Sequence, residues 1–396
     1  MNLELIANLN TITFSALQIL LFTLLPYLAE EMHVSLSSVV MIFSVGSFLF
    51  LWSSPYWAAK SDKVGRQPVL IWGLLGLSVS TLMLWSLTQW GQQIGATAVL
   101  VILIISRLMY GVMASAIVPV AQALQVDMSE NRSAMKAMIS NSMSLNIGRS
   151  LGPIYVLVSG GQNMDRVLVG FLLWLMALLG LNFWALRLKA PERKVGSSQS
   201  IPWGMALKRM RWVFILAILF TSYIGILNSS LAVILKHSFS LTSQDSGVLM
   251  AKLLLVSSAI AVGTQFLGKM FFRNPWQGAM VIGAATLLVG STLLGMMQTQ
   301  NQLWSAIFFL SIGIALIPPC YLTLMTSVDP ESLGLGRKAG IVSAANTIGY
   351  TIGGALAAIS LKIKIVSLEF LLVALVVFMI SCIAILYRRR DVVVEA

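Results

Sequence analysis

The sequence predicts an all-α membrane protein with twelve transmembrane helices in two pseudo-symmetric six-helix bundles. The first reason is composition: 58% of the 396 residues are hydrophobic and only 10% are charged, whereas about 25% of a typical soluble domain is charged. The second is a series of apolar segments, each long enough to cross a hydrocarbon layer of about 30 Å as a helix. The third is a polar stretch that divides these segments into two equal sets. A soluble globular protein is therefore excluded.

Each predicted span is an apolar run of roughly 20 residues or more with few charged side chains. The first run lacks a basic leader and a small-residue cleavage site, so we expect a span there and not a signal peptide. The candidates cover residues 9–29, 38–59, 68–88, 96–122, 136–159, 166–187, 212–235, 247–269, 277–297, 303–326, 339–361 and 366–387.

Lysine and arginine residues predict the orientation of these spans. With both termini in the cytoplasm, the inside segments hold nineteen of these bases and the outside segments hold four. An excess of bases on the cytoplasmic side is the rule for multi-pass proteins. We therefore expect a protein of the plasma membrane, of the bacterial inner-membrane type, with both termini cytoplasmic. Anionic lipid accounts for the net charge of +12, so we expect no nucleic-acid partner.

A polar stretch rich in serine, proline and bases separates the two sets of spans. We predict an N-terminal six-helix bundle at residues 1–187, a cytoplasmic linker at 188–210, and a C-terminal six-helix bundle at 211–396 that ends in a short basic tail.

An internal repeat supports this division. Gly148 and Gly152 in the fifth span recur roughly 200 residues later as Gly349 and Gly353 in the eleventh, and each pair follows a Val-Asp dipeptide and a base at matching distances. Two halves related in this way imply a central site near the membrane midplane and alternating access to it.

The loop after the second span carries a charged turn motif. Asp62, Lys63, Gly65 and Arg66 lie within the sequence SPYWAAKSDKVGRQPVL. Gly65 permits a tight turn between antiparallel helices, and Asp62 can cap a helix or pair with a base across the helix interface. We expect these residues to act in gating. A plain turn with cytoplasmic bases is the alternative interpretation.

Two further motifs lie inside spans. The fourth span contains Arg107 and Gly111 in SRLMYGVMASA, and the fifth contains Gly148, Gly152 and Pro153 in NIGRSLGP. Glycines four residues apart share one helix face and let another helix approach closely. Pro153 removes a backbone donor and favours a bend.

In their types and order, these motifs resemble those of the major facilitator superfamily. The loop is similar to G-x-x-x-D-R/K-x-G-R-R/K, with Ala58 in place of the first glycine and Gln67 in place of the last base. The fourth-span motif resembles R-x-x-x-G-x-x-A, and the fifth-span motif resembles the antiporter signature G-x-x-x-G-P. The resemblance implies the twelve-helix fold of drug and metabolite exporters, proton antiport and a monomeric protein.

Arg149 and Arg107 are both predicted near the middle of the hydrocarbon layer. A charge there costs about 2.5 kcal/mol or more unless it faces water or a partner. All fourteen acidic residues fall in loops or near span ends, so the cavity should be electropositive. Three explanations stay open: the arginines bind an anionic substrate, they bond carbonyls and hydroxyls of neighbouring helices, or Arg107, by the resemblance, tunes proton transfer.

Other polar side chains within spans are candidate substrate ligands. Ser15 and Gln18 share a polar stripe with Thr11, which either lines the cavity or bonds a neighbouring helix. Lys252 either contacts the substrate or extends toward the membrane surface. The remaining candidates are Tyr223 and Asn228 in the seventh span and Asn346 in the eleventh.

These features predict a secondary transporter in the lipid bilayer that exports a small organic molecule in exchange for protons. A cationic cavity favours an anionic or carboxylate-bearing substrate, such as a metabolite, a siderophore-like chelator or an amphipathic drug. The candidate proton carriers are Glu30, Glu31 and Asp127, although a counter-transported anion or facilitated diffusion would also fit. An uptake symporter for an organic anion is the nearest alternative function.

Functions of other classes are disfavoured. A transporter-like membrane sensor or scaffold would normally carry a soluble extension. An enzyme would need clustered acids, bases or metal ligands, whereas His33 and His237 each lie alone near a span end. Cys320 and Cys382 have no metal-ligand spacing. We therefore expect no enzyme activity, no metal and no cofactor.

Overall fold

The computed structural model describes residues 3–128, 134–159, 163–187, 210–271, 275–327, 335–363 and 367–388. Every regular element within these ranges is helical. The predicted linker, apart from Met210, and the basic tail beyond Arg388 lie outside the described residues.

The chain up to Ala185 forms α-helices and one short 3₁₀ turn within the described residues. The helices are α1 (Leu3–Thr23), α2 (Leu25–Glu31), α3 (Leu36–Phe48), α4 (Phe50–Val64), α5 (Arg66–Ile94), α6 (Ala96–Met113), α7 (Ile117–Met128), α8 (Ala134–Val158) and α9 (Met164–Ala185), with the 3₁₀ turn at Ala114–Ala116 between α6 and α7.

The first, second and fourth predicted spans each consist of two helices in series. α1 gives way to α2 at Leu24, and Pro26 lies in the first turn of α2. The 3₁₀ turn at Ala114–Ala116 similarly precedes Pro119. A proline lacks a backbone N–H and its ring contacts the carbonyl four residues earlier, so a regular helix cannot continue through these points. The second span is divided at Leu49.

The rest of the described chain forms six longer helices. They are α10 (Arg211–Ser238), α11 (Ser243–Phe271), α12 (Pro275–Gly295), α13 (Gln300–Ser327), α14 (Leu335–Ile363) and α15 (Leu368–Arg388).

The helices have the length and composition of membrane spans. Within the described residues, eleven stretches are long and apolar enough to cross a bilayer, counting α3 with α4 and α6 with α7 as single spans. The remaining long helix, α8, has 25 residues and carries Arg149 among several polar side chains. The predicted all-α membrane fold is thus confirmed, with α8 as the least apolar of its long helices.

The chain divides into two compact units. The first contains α1–α9 together with Leu231–Lys252, which comprises the end of α10 and the start of α11. The second contains the earlier part of α10, α11 from Leu253 onward, and α12–α15. The sequence places Leu231–Lys252 in the C-terminal bundle, whereas in the structure this segment packs with the first nine helices.

In the first unit, α1 lies between other helices and is mostly buried. One side of α1 packs against the two glycines of α8, and the opposite side contacts α9 through Asn10. The amides of Asn10 and Asn182 exchange two hydrogen bonds, of 2.9 and 3.0 Å, and both side chains are buried. Polar pairs of this kind satisfy each other where no water is available, and they fix the register of the two helices.

In the second unit, α12 packs closely on α13. A Cβ atom added to Gly283 would lie 3.0 Å from Cγ1 of Ile317, and one added to Gly290 would lie 2.8 Å from the backbone nitrogen of Leu310. Small residues at such crossings let helix backbones approach and increase their dispersion contacts. α15 also packs against α12.

Candidate functional site

α8 approaches α1 closely along the face that carries its two glycines. A Cβ atom added to Gly152 would lie 2.6 Å from the carbonyl oxygen of Ala16, and one added to Gly148 would lie 2.7 Å from Cβ of Ser15. Real Cβ atoms do not come this near to backbone or side-chain atoms, so both positions require glycine at this crossing. Pro153, the next residue in the motif, is buried.

The other faces of α8 are exposed and differ in chemistry. Successive residues of an α-helix are rotated by about 100°, which places Asn146, Arg149 and Ser150 on one side and apolar residues on the other. Arg149 is exposed and forms neither a hydrogen bond nor an ion pair with any described side chain. The apolar side presents Met143, Ile147 and Leu151, which are 59%, 45% and 42% exposed. α8 therefore has one face for packing, one for lipid or protein, and one suited to water.

Arg107, on α6, is buried, with only 3% of the residue exposed, whereas Arg149 is exposed. Its Nη2 donates to the Ser80 hydroxyl at 2.5 Å and to the Ser106 hydroxyl at 3.4 Å. The guanidinium also lies over the rings of Phe43 and Tyr110, 4.5 and 4.9 Å from their centroids. Hydroxyls and ring faces thus stabilise the charge, as the second of the three explanations expects.

The Nε of Arg107 nevertheless has no partner among the described residues. A buried donor without an acceptor costs free energy comparable to a lost hydrogen bond. Gly111, one turn further along α6, approaches the α3–α4 junction, where an added Cβ would lie 2.9 Å from Cβ of Leu49.

The polar stripe of α1 is used mainly for helix packing. Ser15 is buried and donates to the carbonyl oxygen of Leu145 on α8 at 2.7 Å. Thr11 similarly lies 3.2 Å from Oδ1 of Asn141. Gln18 is half-buried and makes no side-chain hydrogen bond to the described residues. Gln18 is therefore the one residue of this stripe whose side chain is available to a ligand.

The second unit holds three of the predicted ligands. Tyr223 is fully buried and its hydroxyl shares a 2.8 Å hydrogen bond with Ser291. Asn228 is 9% exposed. The half-buried Asn346 accepts a 3.4 Å hydrogen bond from Tyr321. The structure therefore gives Tyr223 a partner within its own unit, and leaves Asn346 more accessible.

The repeated glycines also lie at a close crossing in the second unit. A Cβ atom added to Gly349 would lie 2.5 Å from the carbonyl oxygen of Ile218, and one added to Gly353 would lie 3.0 Å from Cα of Gly225. α14 thus meets α10 as α8 meets α1.

Lys252, on α11, is exposed and has no hydrogen-bond or ion-pair partner among the described residues.

The loop motif forms a compact charged network. Arg66 donates to Asp62 at 2.6 Å, to the hydroxyl of Ser61 at 2.7 Å and to Asp127 at 2.9 Å. This arginine therefore joins the end of α4 to the end of α7. Gly65 separates α4 from α5 with φ +99°, a backbone conformation open essentially to glycine.

The other residues of the loop motif serve different contacts. Lys63 is exposed. Gln67, which replaces the usual base, donates to the carbonyl oxygen of Ala185 at 2.9 Å and so contacts the end of α9.

The sequence interpretation missed a second polar cluster, centred on Asn8. Its Oδ1 accepts from Gln125 at 2.6 Å, Ser144 at 2.9 Å and Ser140 at 3.2 Å. These bonds hold α7 and α8 against the start of α1. An asparagine at the head of an apolar run was the available signal, but the predicted span began one residue later.

A third cluster lies at the opposite end of α1, around α2. Glu30 forms an ion pair with Lys236 of α10, and Lys236 also donates to the Ser243 hydroxyl at 2.7 Å. Burial acts to raise the pKa of the Glu30 carboxyl, but hydrogen bonds to Lys236 and Ser243 and the lysine charge hold this pKa below its usual value.

Solved structures with the same fold cover nearly the whole chain. The nucleoside transporter NupG is 15% identical, covers 98% of this chain and 100% of its own, and superimposes with a TM-score of 0.72. A POT family transporter in complex with 5-aminolevulinic acid is 14% identical, with coverage of 98% and 96% and a TM-score of 0.69. A human organic anion transporter is 16% identical, with coverage of 96% and 98% and a TM-score of 0.65.

Sequence comparison agrees with the fold. "Multidrug resistance protein 1" of Bacillus subtilis (strain 168) is 25% identical over 345 residues, which are 84% of this chain and 83% of the relative. The family model described as "Major Facilitator Superfamily" matches residues 7–358. The chain therefore belongs to the major facilitator superfamily, as its three motifs predict, and its family members are transporters.

Proposed function

We propose that this transporter exports a small organic anion across a bacterial plasma membrane in exchange for protons, with both termini in the cytoplasm. In this orientation the α2 end of α1 faces outward and the Asn8 end faces the cytoplasm. The observation that carries the proposal is the state of Arg149, which is exposed midway along α8 and has no partner among the described residues.

An unpaired guanidinium in a membrane helix needs water or an anion beside it. Within the described residues, α1 does not supply a partner for Arg149. It packs against the glycine face of α8 and not against the face that carries Arg149. Asn146 and Ser150 flank Arg149 on the exposed side and would add hydrogen bonds to a bound carboxylate or phosphate. Arginine suits such groups because its planar fork can donate two parallel bonds.

Two features support the export direction. The relative from Bacillus subtilis is named a multidrug resistance protein. The fifth-span glycines and Pro153 resemble an antiporter signature, and the glycines lie where α8 meets α1. Uptake of an organic anion is the competing direction.

The proton carrier is the least constrained part of the proposal. Asp127 is paired with Arg66, and Glu30 is paired with Lys236. Glu31 is half-buried and forms no ion pair with the described residues. Of the three candidates, Glu31 is therefore the carboxylate most free to exchange a proton.

Variants of Arg149 test the substrate role. Carboxyfluorescein, as an organic anion, or ethidium, as an organic cation, would be added to the medium around inside-out membrane vesicles, where the cytoplasmic face of the protein is exposed, and uptake into the vesicles would be measured. Loss of a charge-assisted contact should reduce anion transport by Arg149→Ala at least about tenfold, and Arg149→Lys should retain part of it. Arg166→Ala removes an exposed base at the start of α9 and serves as the matched control. Full anion transport by correctly inserted Arg149→Ala protein would overturn the substrate role.

A further inference from the structure

Three aromatic rings from α1, α4 and α6 pack together in the first unit. Phe14 of α1 stacks nearly parallel on Tyr110 of α6, with ring centroids 6.1 Å apart and an angle of 6° between the planes. Phe50, the first residue of α4, lies 5.3 Å from the ring of Tyr110 and 5.9 Å from that of Phe14. We call Phe14, Phe50 and Tyr110 the aromatic wall. Phe14 and Tyr110 are buried and Phe50 is half-buried, so a ligand reaches the wall at Phe50.

The aromatic wall adjoins Gln18. Phe14 and Gln18 are four residues apart on α1, so their side chains are neighbours on one face of that helix. The Gln18 side chain is half-buried and makes no hydrogen bond to the described residues. Its amide can both donate and accept hydrogen bonds. The wall therefore ends beside a polar group that a ligand can use.

Arg149 projects from the same side of the α1–α8 pair as Gln18. The two helices run in the same direction, because contacts further along α8 are made to residues further along α1. Gln18 is rotated by about 60° from Ser15, which faces α8. Arg149 is rotated by about 100° in the opposite sense from Gly148, which faces α1. Opposite rotations on two parallel helices point to the same side, so both polar groups border one surface.

The distance between the aromatic wall and Arg149 suits a small ligand. The wall and the arginine belong to helices that pack on either side of Gln18, and the axes of packed helices lie roughly 8–10 Å apart. The long side chain of Arg149 covers part of this distance. A molecule with a ring and a carboxylate separated by a short chain can therefore contact Phe50 and Arg149 together and pass over Gln18.

The aromatic wall is formed without any ligand. The buried Arg107 guanidinium lies 4.9 Å from the centroid of the Tyr110 ring, and this contact helps to hold the ring in place. It also puts a positive charge next to the wall, which favours an anionic ligand over a cationic one. A site that is already in place before binding loses less conformational entropy when the ligand arrives.

We propose that the exported substrate is an aryl-substituted carboxylate, whose ring packs on Phe50 while Arg149 binds its carboxylate and Gln18 lies against the segment between them. Aromatic pairs gain free energy beyond the area that they bury, and a saturated ring of the same size lacks this gain. The inference rests on the proposed anion site at Arg149. It adds the chemical class of the remainder of the substrate.

Two acids with the same carbon skeleton separate the effect of the ring from that of the charge. 3-Phenylpropanoate has an aromatic ring and 3-cyclohexylpropanoate a saturated one, with the same chain and carboxylate. Isothermal titration calorimetry of the purified protein in lipid nanodiscs measures the dissociation constant of each, independently of transport direction. The wild type should bind the aromatic acid about two- to tenfold more tightly.

Variants of Phe50 test which residue reads the ring. Phe50→Leu should bind the two acids equally, and its affinity for the cyclohexyl acid should stay close to that of the wild type, because leucine preserves an apolar contact. That binding also shows that the variant is folded. Phe50→Tyr keeps an aromatic ring and should keep the preference. Phe183→Leu changes an exposed phenylalanine of α9 and is the matched control, with the wild-type preference expected.

Two results would overturn the aromatic wall as a substrate contact. One is a wild-type protein that does not prefer the aromatic acid, including one that binds neither acid, and the other is a preference that survives in Phe50→Leu. Arg149→Ala should weaken the binding of both acids by the same factor and leave their ratio unchanged. Undiminished binding of both acids by Arg149→Ala, with the effect of Phe50→Leu intact, would refute the anion site alone, so the two proposals fail separately.

Discussion

Arg107 and Arg149 lie in similar helices but differ in how their charges are stabilised. Arg107 is enclosed by two hydroxyls and two aromatic rings, so its charge is stabilised within the first unit. Arg149 has no such partners among the described residues and depends on water or a ligand. Spacing along the sequence places both near the midplane, and only the three-dimensional contacts separate a packed arginine from an available one.

Gly65 allows a direct test of the loop turn. Its φ of +99° and ψ of 156° fall in a region that costs other residues about 1–3 kcal/mol, so Gly65→Ala should lower the free energy of unfolding by that amount. Thermal unfolding in detergent, followed by tryptophan fluorescence, measures the effect. Gly180→Ala is the matched control, because Gly180 is helical and has nothing within 4 Å of an added Cβ. Equal stability of the two variants would contradict the strained turn.

At the scale of the helix, α8 depends on its glycine face. Gly152→Ala should destabilise the first unit by about 1–3 kcal/mol, because its new methyl group would overlap the carbonyl of Ala16 and force the helices apart. Unfolding in detergent measures this loss. Gly263→Ala on α11 meets nothing within 4 Å and should be neutral or slightly stabilising. A Gly152→Ala protein as stable as this control would show that α8 does not need close contact with α1.

Sequence reasoning identified the helices and the three motifs because apolar runs and glycine spacings are local patterns. It also led to Ser15 and Thr11, but it left open whether they serve packing or binding, since that depends on where α8 lies. The helix breaks at Leu24 and Ala114–Ala116 were missed, although Pro26 and Pro119 signalled them.

Contacts between distant parts of the chain could not be predicted at all. The Glu30–Lys236 pair spans 206 positions, and neither residue stands out from other charges near helix ends. The pairing of Asn10 with Asn182 spans 172 positions and is similarly invisible in a single sequence. Such contacts depend on the packing of whole helices, which local periodicity does not specify.

At the scale of the whole molecule, proton exchange predicts a dependence of transport on the pH gradient. Proteoliposomes containing the purified protein and carboxyfluorescein should transport faster when a gradient drives protons in the opposite direction. The rate should fall when nigericin collapses that gradient. Glu31→Gln, which removes the least restrained of the candidate carboxylates, should abolish the acceleration. Transport that ignored the gradient would contradict proton exchange and favour an exchanged anion or facilitated diffusion.

The central claim is that Arg149 recognises the negative charge of an exported substrate. The most direct measurement compares an aromatic carboxylate with its uncharged amide as substrates of the wild-type protein and of Arg149→Ala in inside-out vesicles. The wild type should transport the carboxylate at least about tenfold faster than the amide, and Arg149→Ala should transport the two equally. A preference for the carboxylate that survived in Arg149→Ala would contradict the account.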